Sequence, residues 1–338
     1  MNVFGRLRFK ENDGCRFTRP LLRVAALIVA ALPFLALAQT YPDKPVRMVV
    51  PYVAGGNLDI IARLFARALS DELGQPFVVD NRPGANGNSG TEQVVRSAPD
   101  GYTIAMIAAG TMTINPALYK TMPFDPEKDL APISLVASGP MVLEVNPSLP
   151  VKNFAELIAY AKANPGKLNF GSGGNGTLSH LSVEMLKART GADIVHVPYK
   201  GTALAVNDLV AGHIQGMFDT LSTAAPHIKE GTLRGIAVTS VKRSDVLSSL
   251  PTIAEAGVEG YSADAWSGLV APAGTPPAVI ARIQAAVAKA AANEELRKRL
   301  AAVGSEAVGS GPDQFAAVIR ADKVKWAEVI KVSGAKVE

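Results

Sequence analysis

The amino-acid sequence predicts an α/β protein with two lobes, each built on a mainly parallel β-sheet flanked by helices. Short runs rich in β-branched residues alternate with amphipathic helical segments, a pattern typical of parallel sheets covered by helices. A glycine-rich turn joins a strand to a helix near the start of each half. The length of 338 residues also exceeds that of one typical domain.

The first half opens with the strand Val46–Val50. A loop containing Gly55 and Gly56 leads into a helix, which we expect Asn57 to cap and Gly74 to end. The elements predicted next are a strand, a short helix and a strand, at Phe77–Val79, Thr91–Ser97 and Tyr102–Ala108.

The second half repeats this plan, with a helix between most of its strands. Its predicted strands are Met141–Val145, Lys167–Phe170, Ile194–Val197, Gly216–Asp219 and Ile236–Thr239. Its predicted helices are Phe154–Ala163, with Asn153 as its cap, a segment that ends at Lys187, Leu204–Val210 and Ala224–Glu230.

The last part of the chain adds the strand Trp266–Ala271 and a proline-rich turn, in which Thr275 is the expected cap of the following helix. Helices are predicted at Pro277–Asn293, Glu295–Val303 and Pro312–Val332. We expect these helices to pack on the first lobe, and Trp266 and Trp326 to lie in the core. The predicted first lobe comprises residues 39–141 and 264–338, and the predicted second lobe residues 142–263.

The N-terminus is typical of a secretory signal peptide. Six basic residues precede or enter the apolar stretch Leu21–Leu37, and Ala36-Leu37-Ala38 is a cleavage signal, so residues 1–38 are predicted to be removed. The leader holds six of the 34 Lys and Arg residues and two of the 30 Asp and Glu residues, which leaves 28 of each. The mature chain is therefore neutral, and its charge does not indicate a nucleic acid or a membrane surface as a partner. The single cysteine, Cys15, lies in the leader, so disulfides and thiol chemistry are not expected.

Small-residue loops follow the predicted strands, at the sheet edge where α/β proteins bind ligands. In the loops at residues 54–57 and 172–177, glycines stand just before a helix, and neither loop contains Lys or Arg. The first backbone N–H groups of a helix lack partners and favour an anion. The sequence thus predicts that backbone N–H groups hold a carboxylate or phosphate, while Arg63 and Arg67 lie on the solvent side of their helix.

Other chemistries fit the sequence less well. Gly171–Gly176 matches the G-x-G-x-x-G dinucleotide pattern, but Asp193 precedes the next strand instead of ending it, and the lysine of a P-loop is missing. The four histidines do not show metal-ligand spacing, so neither a cofactor nor a metal is predicted. Ser179 and His180 are adjacent, and adjacent helical residues do not face each other. Three roles stay open: His180 is polar near the loop or simply packed, Asp59 caps its helix or meets the ligand, and Asp219 meets the ligand or holds a loop.

The chain resembles the Bug proteins, the substrate-binding receptors of tripartite tricarboxylate transporters. The motifs that carry this resemblance are YPDKPVRMVVPYVAGGNLD, VVDNRPGANGNSG, PDGYT, NFGSGGNGTLSH, HVPYKG and AWSGLVAPAGTPP. The motifs stand in a fixed order, and the resemblance covers essentially all of residues 41–338. The resemblance implies a two-lobed periplasmic binding protein of the Venus-flytrap, type II-like class. Asn86, Asn88 and Asn57-Leu58 depart from the family pattern, and we expect them to influence ligand choice.

The resemblance further implies that the turns at Pro51–Asp59 and Ser172–Thr177 grip a small carboxylate, partly through ordered waters. The ligand would be a di- or tricarboxylate, an acidic amino acid or an aromatic acid. A monomeric, periplasmic receptor would pass it to the membrane permease subunits of the transporter. The candidate ligand-binding residues are Tyr52, Ala54, Gly55, Gly56, Asn57, Asp59, Thr111, Ser172, Gly173, Asn175, Thr177, Tyr199 and Asp219.

Two other classes of function compete with this interpretation. An exported enzyme would use Ser179, His180 and Asp219 on a small carboxylate. The ligand-sensing half of a transcription regulator shares this fold, but the predicted leader and the lack of a DNA-binding segment argue against it.

Overall fold

The computed structural model describes residues 41–336, so the predicted signal peptide and its cleavage site lie outside the described residues. These residues form two β-sheets flanked by helices, which confirms the α/β fold class. We name each sheet with its packed helices a lobe.

The first lobe contains a six-stranded sheet in the order β11-β4-β10-β3-β1-β2. The bounds of these strands are Val46–Val50 (β1), Phe77–Asn81 (β2), Thr103–Ala108 (β3), Leu130–Gly139 (β4), Ala265–Pro272 (β10) and Glu306–Ala307 (β11). Strand β1 is parallel to β2 and β3, whereas β10 is antiparallel to β3 and β4.

The second lobe contains a five-stranded sheet in the order β7-β6-β8-β5-β9. Its strands are Met141–Val145 (β5), Asn169–Ser172 (β6), Val195–Pro198 (β7), Gly216–Thr220 (β8) and Arg234–Val238 (β9). Strand β6 is parallel to β7 and β8, but β5 is antiparallel to β8 and β9. Both sheets are therefore mixed instead of mainly parallel. The chain crosses between the lobes twice, from β4 to β5 and from β9 to β10. Antiparallel pairing is found at these crossings, where β4 pairs with β10 and β5 pairs with β8 and β9.

The helices cover both faces of each sheet. Their bounds are Asn57–Leu73 (α1), Asn88–Val95 (α2), Asn115–Leu118 (α3), Phe154–Ala163 (α4), Leu178–Thr190 (α5), Thr202–Val210 (α6), Leu221–Glu230 (α7), Pro277–Ala291 (α8), Glu294–Ala302 (α9) and Pro312–Ser333 (α10). Helices α1, α8 and α9 share one hydrophobic core with the first sheet. Helices α4 and α5 pack on one face of the second sheet, and α6 and α7 pack on its other face.

All nine predicted strands are present, but two strands escaped prediction. Strand β4 reads LAPISLVASG, where Pro132 interrupts an apolar run, and β11 has only two residues. Residues Gly110–Ile114, for which the sequence predicts no helix, form a π-helical turn that continues into α3.

Two of the predicted helix caps are wrong. The N-cap of α1 is Gly56, and Asn57 is already the first helical residue. The N-cap of α8 is Pro276, because the Thr275 hydroxyl instead donates to the Pro272 carbonyl. The side chain of Asn153 caps α4 as predicted, and Gly74 ends α1 in the left-handed conformation.

The last helix, α10, contacts both lobes. Phe315 and Ile319, near its start, lie in a core of the first sheet, whereas Trp326 and Ile330 lie in the main core of the second sheet. The expectation that the late helices pack on the first lobe therefore holds for α8 and α9 but only for the first half of α10. Trp266 and Trp326 are both buried, as predicted.

Candidate ligand-binding site

A cavity lies between the lobes, at the carboxyl ends of the parallel strands. Its outer part has a volume of about 860 Å³ and its inner part about 220 Å³. Six residues line both parts and so mark the passage between them: Tyr52, Asn86, Thr177, Thr202, Asp219 and Thr220.

Four helices begin at the wall of the outer cavity, namely α1, α5, α6 and α7. In α1 the first backbone hydrogen bond within the helix runs from Ile60 N–H to the Gly56 carbonyl, and in α5 from Leu181 N–H to the Thr177 carbonyl. The N–H groups before these bonds are the ones that a helix start leaves for other acceptors. The positive ends of four helix dipoles therefore meet at one cavity, which favours an anion there.

The inner cavity is mostly apolar. Its walls include Leu58, Met141, Leu178, Phe218 and Trp266. Among the residues described, neither part of the cavity is lined by Lys or Arg, and Asp219 is its only carboxylate side chain. The site thus combines an anion-favouring entrance with a small apolar interior.

Asp59 fixes the shape of the loop at residues 54–57, which we call the first loop. Its Oδ2 accepts the Gly55 N–H at 2.9 Å and the Arg63 Nε–H at 3.0 Å, and its Oδ1 accepts from Asn81 at 3.0 Å. Burial raises the pKa of this carboxyl, but the hydrogen bonds from Arg63, Gly55 and Asn81 outweigh burial and hold its pKa below the usual range. Asp59 is therefore ionised, and both of its carboxylate oxygens accept hydrogen bonds from the protein itself. Because the Gly55 N–H donates to Asp59, it is not free to bind a ligand.

Asn86 connects several side chains at the passage between the two cavity parts. Its carbonyl oxygen accepts hydrogen bonds from Tyr52 Oη at 3.2 Å, Thr111 Oγ1 at 3.3 Å and Asn115 Nδ2 at 3.0 Å. Its side chain donates to Asn115 Oδ1 at 2.8 Å and, across the lobes, to the Gly176 carbonyl at 3.4 Å. Asn86 has a left-handed backbone (φ 50°) that asparagine tolerates better than most residues. The network holds Tyr52 in place at the cavity wall.

Two stacked histidines support the loop at residues 172–177, which we call the second loop. The rings of His180 and His196 lie 3.9 Å apart between centroids. The Gly176 N–H donates to His180 Nδ1 at 3.0 Å, and His196 Nε2 lies 2.6 Å from the Ser172 hydroxyl oxygen. Burial lowers the pKa of His180, and burial together with His180 lowers that of His196 to about 3. Both rings are neutral near pH 7, and His180 is a polar residue that contacts the loop.

Asp219 is the last residue but one of β8, lies at the junction of the two cavity parts and is 1% exposed. Its Oδ1 accepts the Thr220 N–H at 2.7 Å, while its Oδ2 is buried and lacks a hydrogen-bond partner in the described part of the chain. Burial raises the pKa of Asp219 to about 7. The Asn57 side-chain oxygen, on the wall of the outer cavity, is also buried and unpartnered within residues 41–336.

The structure brings eight of the candidate residues to the cavity wall, namely Tyr52, Gly55, Gly56, Asn57, Gly173, Asn175, Thr177 and Asp219. The remaining five are not on that wall. Ala54 lies in the exposed loop, while Asp59, Thr111 and Ser172 are buried behind the wall in the contacts described above. The Tyr199 hydroxyl turns to Asp208 Oδ2, 2.7 Å away.

Two wall residues, Asn86 and Leu58, were expected to influence ligand choice but were not among the candidate ligand-binding residues. The wall residues that the sequence does not connect with the ligand are Tyr119, Thr202, Ser222 and Thr223 on the polar side, and Met141, Phe218 and Trp266 on the apolar side. Thr202 and Ser222 stand at helix starts after β7 and β8, so the strand-to-helix pattern itself was the available signal. Met141, Phe218 and Trp266 carry no such signal, because the buried wall of a cavity and a packed core have the same composition.

The three residues of the enzyme alternative serve separate contacts. The Ser179 hydroxyl donates to the Phe218 carbonyl at 2.8 Å, His180 binds Gly176, and Asp219 binds Thr220. Across the described residues there is also no group of three or more His, Cys, Asp and Glu side chains placed to hold a metal ion. The helices within residues 41–336 include none with the length and apolarity needed to span a bilayer.

The comparison with protein families matches residues 61–335 to the tripartite tricarboxylate transporter family receptor model. Among curated proteins, BugT of Bordetella pertussis is 36% identical over 321 residues, which cover 94% of this chain and 98% of BugT.

Solved structures agree with this match. A Rhodopseudomonas palustris protein solved with adipate is 38% identical, with a TM-score of 0.80, and covers 88% of this chain and all of its own. MatC from the same species, solved with malate, is 31% identical, with a TM-score of 0.76, and covers 86% of this chain and all of its own.

Proposed function

The chain belongs to the tripartite tricarboxylate transporter family of receptors, and on that premise we propose that it is a solute receptor that binds a small carboxylate between its lobes. The observation that carries this proposal is the cavity, where four helices begin and Lys and Arg are missing from the described lining. Backbone N–H groups at helix starts bind anions without a cationic side chain. The adipate and malate in related structures are ligands of this class.

We further propose that the protein is exported to the periplasm after cleavage near Ala38 and delivers its ligand to the membrane permease subunits of a transporter. The sequence of residues 1–38 supports export, and family membership supports the partner. The lobes would comprise residues 39–141 with 264–338, and residues 142–263, joined by the two crossings between β4 and β5 and between β9 and β10. These crossings would form the hinge on which the lobes close.

The proposal excludes catalysis. Ser179, His180 and Asp219 each bond to main-chain groups, so they do not supply an activated nucleophile with its base. We expect the purified protein to bind its carboxylate stoichiometrically and to release it unchanged. If the wild type instead converts the carboxylate into a product and His180→Ala abolishes that conversion, the protein is an enzyme.

A thermal-shift screen tests the proposal. The panel contains succinate, malate, adipate, citrate, glutamate and benzoate, and calorimetry then measures Kd for each acid that raises the Tm. A ligand present at 100 times its Kd stabilises the folded state by about 2.7 kcal/mol, which such a screen detects readily. If none of these acids binds, the proposed carboxylate specificity is wrong.

A further inference from the structure

A buried pair of carboxyl groups lies behind the inner cavity. Strand β5 pairs antiparallel to β8, with Val142 opposite Asp219 and Glu144 opposite Met217. Because side chains directly opposite each other share a face, Glu144 and Asp219 are diagonal neighbours on one face of the second sheet. Glu144 is fully buried, and within residues 41–336 neither of its carboxyl oxygens has a hydrogen-bond partner.

Within residues 41–336, the elements packed around this pair bring no Lys or Arg side chain to its carboxyl oxygens. Helices α6 and α7 pack on the same face. The acid of α6, Asp208, pairs with Tyr199, and the charged residues of α7, Lys229 and Glu230, stand in its last turn, away from the cavity. Next to β5, the Arg234 guanidinium of β9 donates to the Leu149 and Val151 carbonyls.

Of the other titratable groups around the cavity, those on α5 are neutral or paired, whereas Asp264, which precedes the inner-cavity residue Ala265, is a carboxyl group whose pKa burial raises to about 6. On α5, His180 is neutral and Glu184 pairs with Lys187 at 2.9 Å. From the first lobe, Tyr52 shares the cavity wall, and burial raises its pKa to about 12. If both carboxyl groups of this diagonal pair were ionised, they would therefore repel each other in a desolvated place.

We propose that Asp219 binds the ligand in its acid form, donating its Oδ2–H to a ligand carboxylate, and that the receptor takes up one proton when it binds. This inference rests on the proposed function. It names the residue that recognises the end of the ligand that lies toward the inner cavity. The unpartnered Oδ2 supplies the donor, and the helix starts hold the anion. An ionised Asp219 would instead repel a carboxylate in the same cavity, and the described lining offers no cation to offset that repulsion.

The titration behaviour is consistent with this assignment. Burial, and then the neighbouring Asp219, raises the pKa of Glu144 well above its usual range, which favours its protonated form. Burial raises the pKa of Asp219 to about 7, so the free receptor is only partly protonated there. A bound carboxylate raises this pKa further. The acid form is present below pH 7 and is lost above it, so the Kd should weaken by about tenfold per pH unit above pH 7.

Calorimetry in two buffers of different ionisation enthalpy counts the protons taken up, with the tightest-binding acid of the panel named above as probe. We expect uptake of about one proton near pH 8 in the wild type and in Glu144→Gln, which removes only the second titrating group. We expect no uptake in Asp219→Asn, whose amide donates a hydrogen bond at every pH. That variant should keep a Kd near the low-pH value of the wild type, independent of pH. The exposed Asp71→Asn is the surface control.

Each outcome decides between the two proposals. If none of the panel binds, the proposed function fails, and this inference fails with it. If an acid binds without proton uptake by the wild type, or binds to Asp219→Asn with the pH dependence of the wild type, the inference alone is wrong. Proton release on binding of glutamate, with glutamate binding lost in Asp219→Asn, would show that an ionised Asp219 binds an ammonium group instead. If Asp219→Asn does not fold, proton counts for the wild type and Glu144→Gln still decide.

Discussion

Gly173 shows at the scale of one residue how closely the second loop approaches its neighbours. A Cβ atom added there would lie 2.8 Å from Thr202 Oγ1 and 3.3 Å from the Thr202 nitrogen. Gly55 differs, because its added Cβ meets nothing within 4 Å and its φ of +82° makes any other residue strained. A side chain therefore acts by crowding at Gly173 and by backbone strain at Gly55.

We expect Gly173→Ala to weaken carboxylate binding and to lower the free energy of unfolding by about 1–3 kcal/mol, the usual cost of overpacking. Replacing Thr202 by Ala as well removes the atom that is crowded and should recover much of the stability. Urea unfolding and calorimetry measure both effects. Equal stability of Gly173→Ala and the wild type would contradict the crowding.

Asp59 is the residue on which the first loop depends. Asp59→Ala leaves the Gly55 N–H without its acceptor and should cost about 1–3 kcal/mol of unfolding free energy. Because the pKa of Asp59 is lowered in the folded state, its contribution is present above about pH 4 and is lost as the pH falls through the folded pKa. Urea unfolding between pH 7 and pH 3 should therefore show the difference between the variant and the wild type shrink. Asp71→Ala, exposed on the same helix, is the matched control, and a constant difference would contradict this role.

At the scale of elements, the sequence predicted strands and helices better than it predicted side-chain roles. Glycines before a helix marked α1 and α5 correctly, because few other residues allow such turns. The Tyr199 hydroxyl turns to Asp208 of α6, and a position at a strand end does not tell whether a side chain turns toward the cavity or toward a neighbouring helix. Glu144 escaped notice, because period-2 alternation does not reveal that helices cover both faces of a sheet.

Helix α10 offers a matched pair of tryptophans for a test of its anchoring. Trp266 Nε1–H donates to Asp322 Oδ2 of α10 at 2.7 Å, whereas the buried Trp326 Nε1–H has no acceptor in the described chain. Trp→Phe removes the same atoms at both sites. We expect Trp266→Phe to destabilise the protein by about 1–3 kcal/mol more than Trp326→Phe, because only Trp266 loses a hydrogen bond to a charged group. Equal losses in urea unfolding would mean that the Asp322 contact contributes little.

At the scale of the whole molecule, the two lobes touch where the first lobe presents Gly304 to the start of α7. A Cβ atom added to Gly304 would lie 2.6 Å from the Ser222 nitrogen and 2.8 Å from the Leu221 Cβ. Val303, the preceding residue, lines the outer cavity. This contact therefore lies beside the ligand-binding cavity, and a side chain there acts as a wedge between the lobes.

We expect Gly304→Ala to hold the lobes apart and to weaken carboxylate binding, although position 304 is not on the cavity wall. Gly334→Ala is the matched control: its φ of +68° imposes nearly the same backbone strain as the +66° of Gly304, but its added Cβ meets nothing within 4 Å. X-ray scattering with saturating ligand should give a larger radius of gyration for Gly304→Ala than for the wild type and the control. Calorimetry should show a weaker Kd for that variant alone. If both variants match the wild type in size and affinity, contact at Gly304 does not govern closure of the lobes on the ligand.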